Sequence, residues 1–262
     1  MTTLVSYSVD GAVARLTLDS PHNRNALSTV LVRELREGFA AASADPNVRC
    51  VVLGHAGGTF CAGADLSEAP TEGRAKGPGE LAVDRAREMT TLLRTMLELP
   101  IPVIGAIDGH VRAGGMGLIG ACDIVVAGPA STFALTEARI GVAPSIISLT
   151  LLPKMSARSA GRYFVTGEKF DAAEAAAIGL VTLAADDVTA SVAALAADIA
   201  KGSPQGLAAS KALTTIAILE GFDRYAEQLA EQSATLFVSD EAREGITSFL
   251  EKRQPNWVAP SA

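Results

Sequence analysis

The chain has 262 residues, 48% of them hydrophobic and 19% charged, with a formal net charge of −7. That size and apolar fraction suit one large domain with a sizeable core and exclude a disordered chain. The acidic balance argues against a general nucleic-acid or anionic-membrane surface, although a few local Lys or Arg residues could still serve a phosphorylated ligand. Cys50, Cys61 and Cys122 are odd in number and lack C-x-x-C spacing, so they read as reduced, buried residues rather than disulfides or metal ligands. The opening MTTLVSYSVD has no basic patch followed by an apolar run, and no apolar stretch reaches the roughly 18 residues of a membrane span. A cytoplasmic protein with no membrane partner is expected.

In chain order, residues 4–8 and 13–18 alternate in polarity around Asp10-Gly11 and predict a β-hairpin. Residues 20–24 form a polar turn. A helix is predicted over 27–42, with Leu31, Leu35 and Phe39 on one face. Residues 48–53 read as a buried strand, 57–65 as a glycine-rich loop and 67–79 as a mobile loop. A helix over 81–97 and a strand over 102–107 follow. Residues 113–122 read as a glycine-rich turn feeding a buried helix. Strands are expected at 124–127 and 132–135, and short helices at 146–154, 157–166 and 172–178. Helical stretches then dominate, at 188–201, 204–219, 221–237 and 240–252. This divides the chain into an α/β core over 1–195 and a C-terminal helical module over 196–262. The recurring strand–strand–helix rhythm suits a coiled stack of ββα turns as well as an open doubly wound sheet.

Three segments carry candidate chemistry. In Gly57-Gly58-Thr59-Phe60-Cys61-Ala62-Gly63-Ala64-Asp65-Leu66, small residues let a ligand approach the backbone and Asp65 can cap the following turn. The segment lacks the G-K-[ST] of a phosphate-binding P-loop. In Gly109-His110-Val111-Arg112-Ala113-Gly114-Gly115-Met116-Gly117, glycines opening a buried helix leave N–H groups free where the helix dipole favours negative charge. Glu137 follows an apolar strand and can act as a general acid or base. Each segment alone also fits a plain structural role: a strand–helix connection, close helix packing, or an exposed acid paired with Arg139.

Together the segments resemble the enoyl-CoA hydratase/isomerase (crotonase) superfamily. The likeness extends over Asn25-Ala26-Leu27-Ser28, the FCAGADL segment 60–66, residues 102–109, the AGGMGL segment 113–118, Cys122-Asp123-Ile124, residues 133–141 and 165–168, the AAEAAAIGLV segment 172–181, and Phe249-Leu250-Glu251-Lys252-Arg253. The resemblance implies a spiral of ββα units, a C-terminal helical module that forms trimers or hexamers (dimers of trimers), and no metal or redox cofactor, coenzyme A being part of the substrate. It puts an oxyanion hole on the N–H groups of Ala64 and Gly114, which would stabilise the enolate of an acyl-CoA thioester. Contacts to coenzyme A fall on His22, Arg24, Ala26, Ala62, Asp65 and Leu66. Phe249 and Lys252, often supplied by a neighbouring subunit, complete the set.

The sequence departs from the family pattern in two places. Typical hydratases carry two catalytic glutamates; Glu137 matches the second, whereas Gly117 stands at the position of the first. Val142-Ala143-Pro144-Ser145-Ile146-Ile147-Ser148 also replaces a Pro-Gly-rich stretch, and the surrounding pattern is similar to a branch acting on branched or unusual acyl-CoAs. The leading expectation is hydration of a 2-enoyl-CoA, with Glu137 as acid/base. Isomerisation of a 3-enoyl-CoA to a 2-enoyl-CoA, which needs one shuttling base, is the alternative, and a non-catalytic acyl-CoA-binding relative the second. His110 and Arg112 are read as structural.

Overall fold

The computed structural model describes residues 3–66 and 77–259. The hairpin of β1 (Val5–Asp10) and β2 (Val13–Leu18) pairs Val5 with Leu18 and turns at Gly11, whose φ of +56° suits glycine. Helix α1 (Thr29–Ala44) starts where Ser28 Oγ accepts from the Leu31 N–H, and it buries Leu31, Leu35, Phe39 and Ala42 on one stripe. Fully burying each of the three larger side chains is worth about 1.5–3 kcal/mol.

The rest of the core repeats one motif. The first unit is β3 (Cys50–His55), β4 (Thr59–Cys61) and α2 (Pro78–Glu98); the second is β5 (Val103–Ile107), β6 (His110–Arg112) and α3 (Gly114–Ala121). The third is β7 (Ile124–Ala127) and β8 (Thr132–Ala134), followed by a 3-10 turn at Glu137–Ile140 and by α4 (Ser148–Leu151) and α5 (Ala157–Thr166). Each unit gives its first strand to a six-stranded sheet and its second to a four-stranded one. The orders are β1-β2-β3-β5-β7-β10 and β4-β6-β8-β9, completed by β9 (Phe170–Asp171), α6 (Ala172–Ala177) and β10 (Leu183–Ala184). Neighbours from β2 to β10 in the large sheet and from β4 to β8 in the small one run parallel. This is the expected spiral of ββα turns. β4 lies inside the segment read as a glycine-rich loop, and β6 lies between the strand expected over 102–107 and the glycine-rich turn expected from 113. They are three residues long, too short to show alternation in sequence, and exist because neighbouring strands complete their hydrogen bonds.

Three helices close the chain: α7 (Val188–Ile199), α8 (Pro204–Phe237) and α9 (Asp240–Leu250). The expected division at residue 195 falls inside α7, whose Val192 and Ala196 pack with Cys50, Val52, Ile104 and Val126 of the large sheet. The two helices expected over 204–219 and 221–237 are one helix of 34 residues. Gly221 does not break it, because Ile218 and Phe222 on either side are buried in the core. Arg94 of α2 pairs with Asp223 at 2.6 Å, and Lys211, buried, pairs with Asp123 at 2.7 Å while donating to the carbonyls of Met96 and Ile101. Of the mobile loop expected over 67–79, residues 67–76 lie outside the described residues, and Pro78 and Gly79 belong to α2. No described helix is long and apolar enough to cross a membrane.

Candidate active site

The two glycine-rich segments meet edge to edge. β4 leads into Ala62–Leu66, where Leu27 and Ala64 form an isolated parallel bridge. Leu27 N–H donates to the Gly63 carbonyl at 2.7 Å, and Asp65 N–H donates to the Leu27 carbonyl at 3.2 Å. In such a bridge alternate peptides face opposite ways, so the Ala64 N–H points away from Leu27. It has no hydrogen-bond partner among the described residues, and Ala64 is exposed. Gly63 has φ +96°, and a Cβ there would lie 2.8 Å from Ala113 Cβ and 3.5 Å from Gly114 N.

β6 delivers the second segment. Ala113 caps α3 with φ 46° and ψ −121°, a strained conformation for a residue with a side chain. Its N–H donates to Ala134 of β8 at 3.3 Å, and Met116 N–H donates to the Ala113 carbonyl at 2.8 Å. The Gly114 N–H has no partner among the described residues and stands at the positive end of α3. A Cβ on Gly114 would lie 3.9 Å from Ala64 N, and a Cβ lies about 2.5 Å from its own residue's nitrogen, so the Ala64 and Gly114 nitrogens are at most about 6.4 Å apart. One oxygen held 2.7–3.1 Å from both donors, as an oxyanion hole requires, needs a separation below about 6 Å.

Glu137 reaches the same region through the strands. β8 pairs with β6 in the register Arg112↔Ala134, and Glu137 opens the 3-10 turn three residues beyond Ala134. Its side chain is buried, with 7% of the residue exposed, and Oε2 has no hydrogen-bond partner among the described residues. Burial pushes the carboxyl up from its ordinary 4.5 to about 7, against a smaller opposing effect from its own backbone N–H. The exposed, Arg139-paired alternative is excluded: Arg139 donates to the Thr166 carbonyl instead. Gly245 of α9 presses on the Ile140 backbone behind this turn.

Position 117 carries no side chain. A Cβ on Gly117 would lie 3.0 Å from Ile147 Cβ, closer still to its Cγ2, and 3.3 Å from Met89 Cε. Ile147 and Met89 went unnoticed in the sequence because nothing local marks which apolar side chain meets a glycine about 30 residues away. Leu27 and Asn25 were legible only as part of a motif. Asn25 is fully buried in the left-handed region at φ 55°; it accepts from Ser20 N–H and donates to the carbonyls of Ala56 and Thr59.

The remaining expected positions divide. His22 and Arg24 are exposed, Ala26 is buried, and the Arg24 carbonyl accepts from the Ala62 N–H at 3.1 Å. Asp65 accepts from Asn23 Nδ2 at 2.9 Å. A recess of about 100 Å³ is bounded by Pro21, Arg24, Asn25 and residues 56–59. Phe249, 62% exposed, and Lys252, at φ 56°, stand at the far end of α9. His110 shares the Thr132 hydroxyl with Arg112, whose guanidinium also donates to the Thr132 and Val111 carbonyls. A larger open cleft of about 600 Å³, lined by Arg15, His55, Asp108 and Asp187 among others, contains none of Ala64, Gly114 and Glu137. Among the described residues no three His, Cys, Asp or Glu side chains group to hold a metal ion.

The family model for enoyl-CoA hydratase/isomerase matches residues 8–260. The chain belongs to the enoyl-CoA hydratase/isomerase family. Members of the enoyl-CoA hydratase/isomerase family act on acyl-CoA substrates. A crystal structure of an enoyl-CoA hydratase from Mycobacterium avium resembles this family member with 64% sequence identity and a TM-score of 0.91, over 98% of this chain and all of that one. Enoyl-CoA hydratase EchA19 of Mycobacterium tuberculosis is 33% identical, over 92% of this chain and 91% of its own. Carnitinyl-CoA dehydratase of Proteus mirabilis is 31% identical, over 94% and 95%.

Proposed function

We propose that this chain moves a proton on an enoyl-CoA thioester with one carboxylate, converting a 3-enoyl-CoA to a 2-enoyl-CoA. The Ala64 and Gly114 N–H groups would hold the thioester oxygen. Ionised Glu137 would take a proton from C2, the electron pair would spread into a dienolate on that oxygen, and protonated Glu137 would return the proton at C4. Atoms and oxidation level balance, so the proposed chemistry draws on no metal or redox group. The observation carrying this reading is the lone buried Glu137 carboxyl, unpaired at Oε2, with Ile147 and Met89 filling the space at Gly117. A carboxyl held near neutrality exchanges a proton with little cost in either direction.

Hydration of a 2-enoyl-CoA, with branched acyl chains among the candidates, is the second reading. Its support is the relatives named for hydration and dehydration. It asks Glu137 alone to activate water at C3 and protonate C2, with no second carboxylate at position 117 to orient the water. The coenzyme A strip at His22, Arg24, Ala26, Ala62, Asp65 and Leu66, with Phe249 and Lys252, belongs to both readings. So does a trimeric or hexameric assembly, which would cover the exposed Leu213, Ile216 and Leu250. The free, buried Cys50, Cys61 and Cys122 support a reducing, cytoplasmic setting.

The test is to incubate the protein separately with a 3-enoyl-CoA and with crotonyl-CoA and to separate the products. Formation of 2-enoyl-CoA from the first, lost in Glu137→Gln, supports isomerisation. 3-Hydroxyacyl-CoA from crotonyl-CoA alone moves the assignment to hydration. Binding without turnover of either leaves the acyl-CoA-binding alternative.

A further inference from the structure

Leu27 touches both halves of the candidate oxyanion hole, although the hole is built from two segments some fifty residues apart. Its main chain fixes the first half: the bonds to the Gly63 carbonyl and from the Asp65 N–H hold the peptides flanking Ala64, and so the direction of the Ala64 N–H. Its side chain meets the second half. A Cβ on Gly114 would lie 2.8 Å from Leu27 Cδ1 and 3.9 Å from Ala64 N, so the isobutyl group rests against the Gly114 Cα on the side facing Ala64. Of the three atoms nearest that position among the described residues, Leu27 Cδ1 is the one that belongs to a side chain. Leu27 is itself held between Asn25, fully buried and bonded to three main-chain groups, and Ser28, which caps α1. The side chain is half-buried and packs against the main core, so it is a fixed spacer rather than a mobile one.

We infer that Leu27 is a positioning residue that sets the separation of the Ala64 and Gly114 donors, its backbone aligning one and its side chain buttressing the other. This rests on the assignment of those two N–H groups as the oxyanion hole. The physical reason is that two donors share one developing oxyanion only if both lie within about 3 Å of it. A displacement on the order of 1 Å, such as collapse of Gly114 into the space left by a truncated Leu27, costs about 100-fold in rate.

The experiment compares wild type with Leu27→Ala and Leu27→Met. It measures kcat and KM on whichever enoyl-CoA wild type turns over, and the infrared carbonyl stretch of bound butanoyl-CoA, whose saturated chain offers no double bond to hydrate or move. Leu27→Ala is expected to lower kcat about 10- to 100-fold with KM changed less than about threefold. The bound carbonyl should lose most of its shift to lower frequency. Leu27→Met, which keeps a terminal methyl within reach of Gly114, should restore both. If Leu27→Ala does not fold, Leu27→Val carries the same test. A variant with wild-type kcat, or one slowed with an unchanged carbonyl shift, overturns the role of Leu27 while leaving the hole intact. A wild-type complex with no carbonyl shift overturns the hole itself, and the Leu27 assignment with it.

Discussion

Ile147 occupies the space that any side chain at Gly117 would need. Its Cβ lies 3.0 Å from the position of a Cβ at residue 117, its Cγ2 lies nearer, and both residues are buried. A β-branched side chain has little rotamer freedom with which to yield. Gly117→Ala should therefore destabilise the fold by about 1–3 kcal/mol through overpacking. Combined with Ile147→Ala, the same change should cost less than the sum of the two single changes. Urea unfolding of the four proteins measures the coupling; additive costs would show that the two positions do not compete for space.

The pH dependence of stability follows from Glu137. Its carboxyl titrates near 4.5 when exposed and near 7 in the fold. Between those values the unfolded chain has released the proton and the folded chain retains it, so stability falls as pH rises. The contribution is fully present below about 4.5, is lost as pH passes about 7, and totals about 3 kcal/mol. Relative to Glu137→Gln, wild type should lose this amount between pH 4 and pH 8, measured by denaturant midpoint at each pH. A constant difference would place the folded carboxyl at its ordinary value. On the activity side, proton removal needs ionised Glu137, so kcat/KM for a 3-enoyl-CoA should rise with pH through about 7, and Glu137→Gln should lose about 10²–10⁴-fold.

Ala113 holds strain at the entrance to α3. Its φ of 46° costs on the order of 1–3 kcal/mol in a residue with a Cβ. Ala113→Gly should relieve it and gain about 1 kcal/mol of stability, partly offset by the lost contact with Gly63. The freed backbone should also aim the Gly114 N–H less well, lowering kcat by about tenfold. Parallel melting and kinetic measurements check the opposed signs; a variant both less stable and fully active contradicts them.

Lys211 anchors α8 to the core. Its ammonium pairs with Asp123 and donates to Met96 and Ile101, with only 3% of the side chain exposed. Lys211→Met fills similar volume but leaves the half-buried Asp123 carboxylate with the Val103 N–H as its one remaining partner among the described residues. A loss of about 3–5 kcal/mol is expected in chemical denaturation. Lys211→Met combined with Asp123→Asn should recover part of it, since the orphaned charge is then removed.

How much of this was legible beforehand depended on the range of the interaction. α1, the hairpin and the turn residues were readable because their signals are local: apolar periodicity, alternating polarity, an Asp-Gly turn. The glycine-rich segments at 57–65 and 109–117, and Glu137 as a carboxylate behind an apolar strand, were readable as residue types with a chemistry. β4 and β6 were not, because three residues carry no period and their bonds come from strands far away in sequence. The unbroken α8 was not either: Gly221 lowers local helix propensity, and the buried Ile218 and Phe222 beside it override that loss.

For the site, the sequence alone determined which residues could donate N–H groups and which carboxylate could move a proton. Only the tertiary structure brings Ala64 and Gly114 side by side, because their neighbours Leu27, Gly63 and Ala113 come from three different stretches of chain. Only the fold could bury Glu137 with no partner at Oε2 among the described residues, since desolvation belongs to the surroundings and not to the residue. And only packing could show that the space at Gly117 is filled by Ile147 and Met89, which makes an apolar wall at that position.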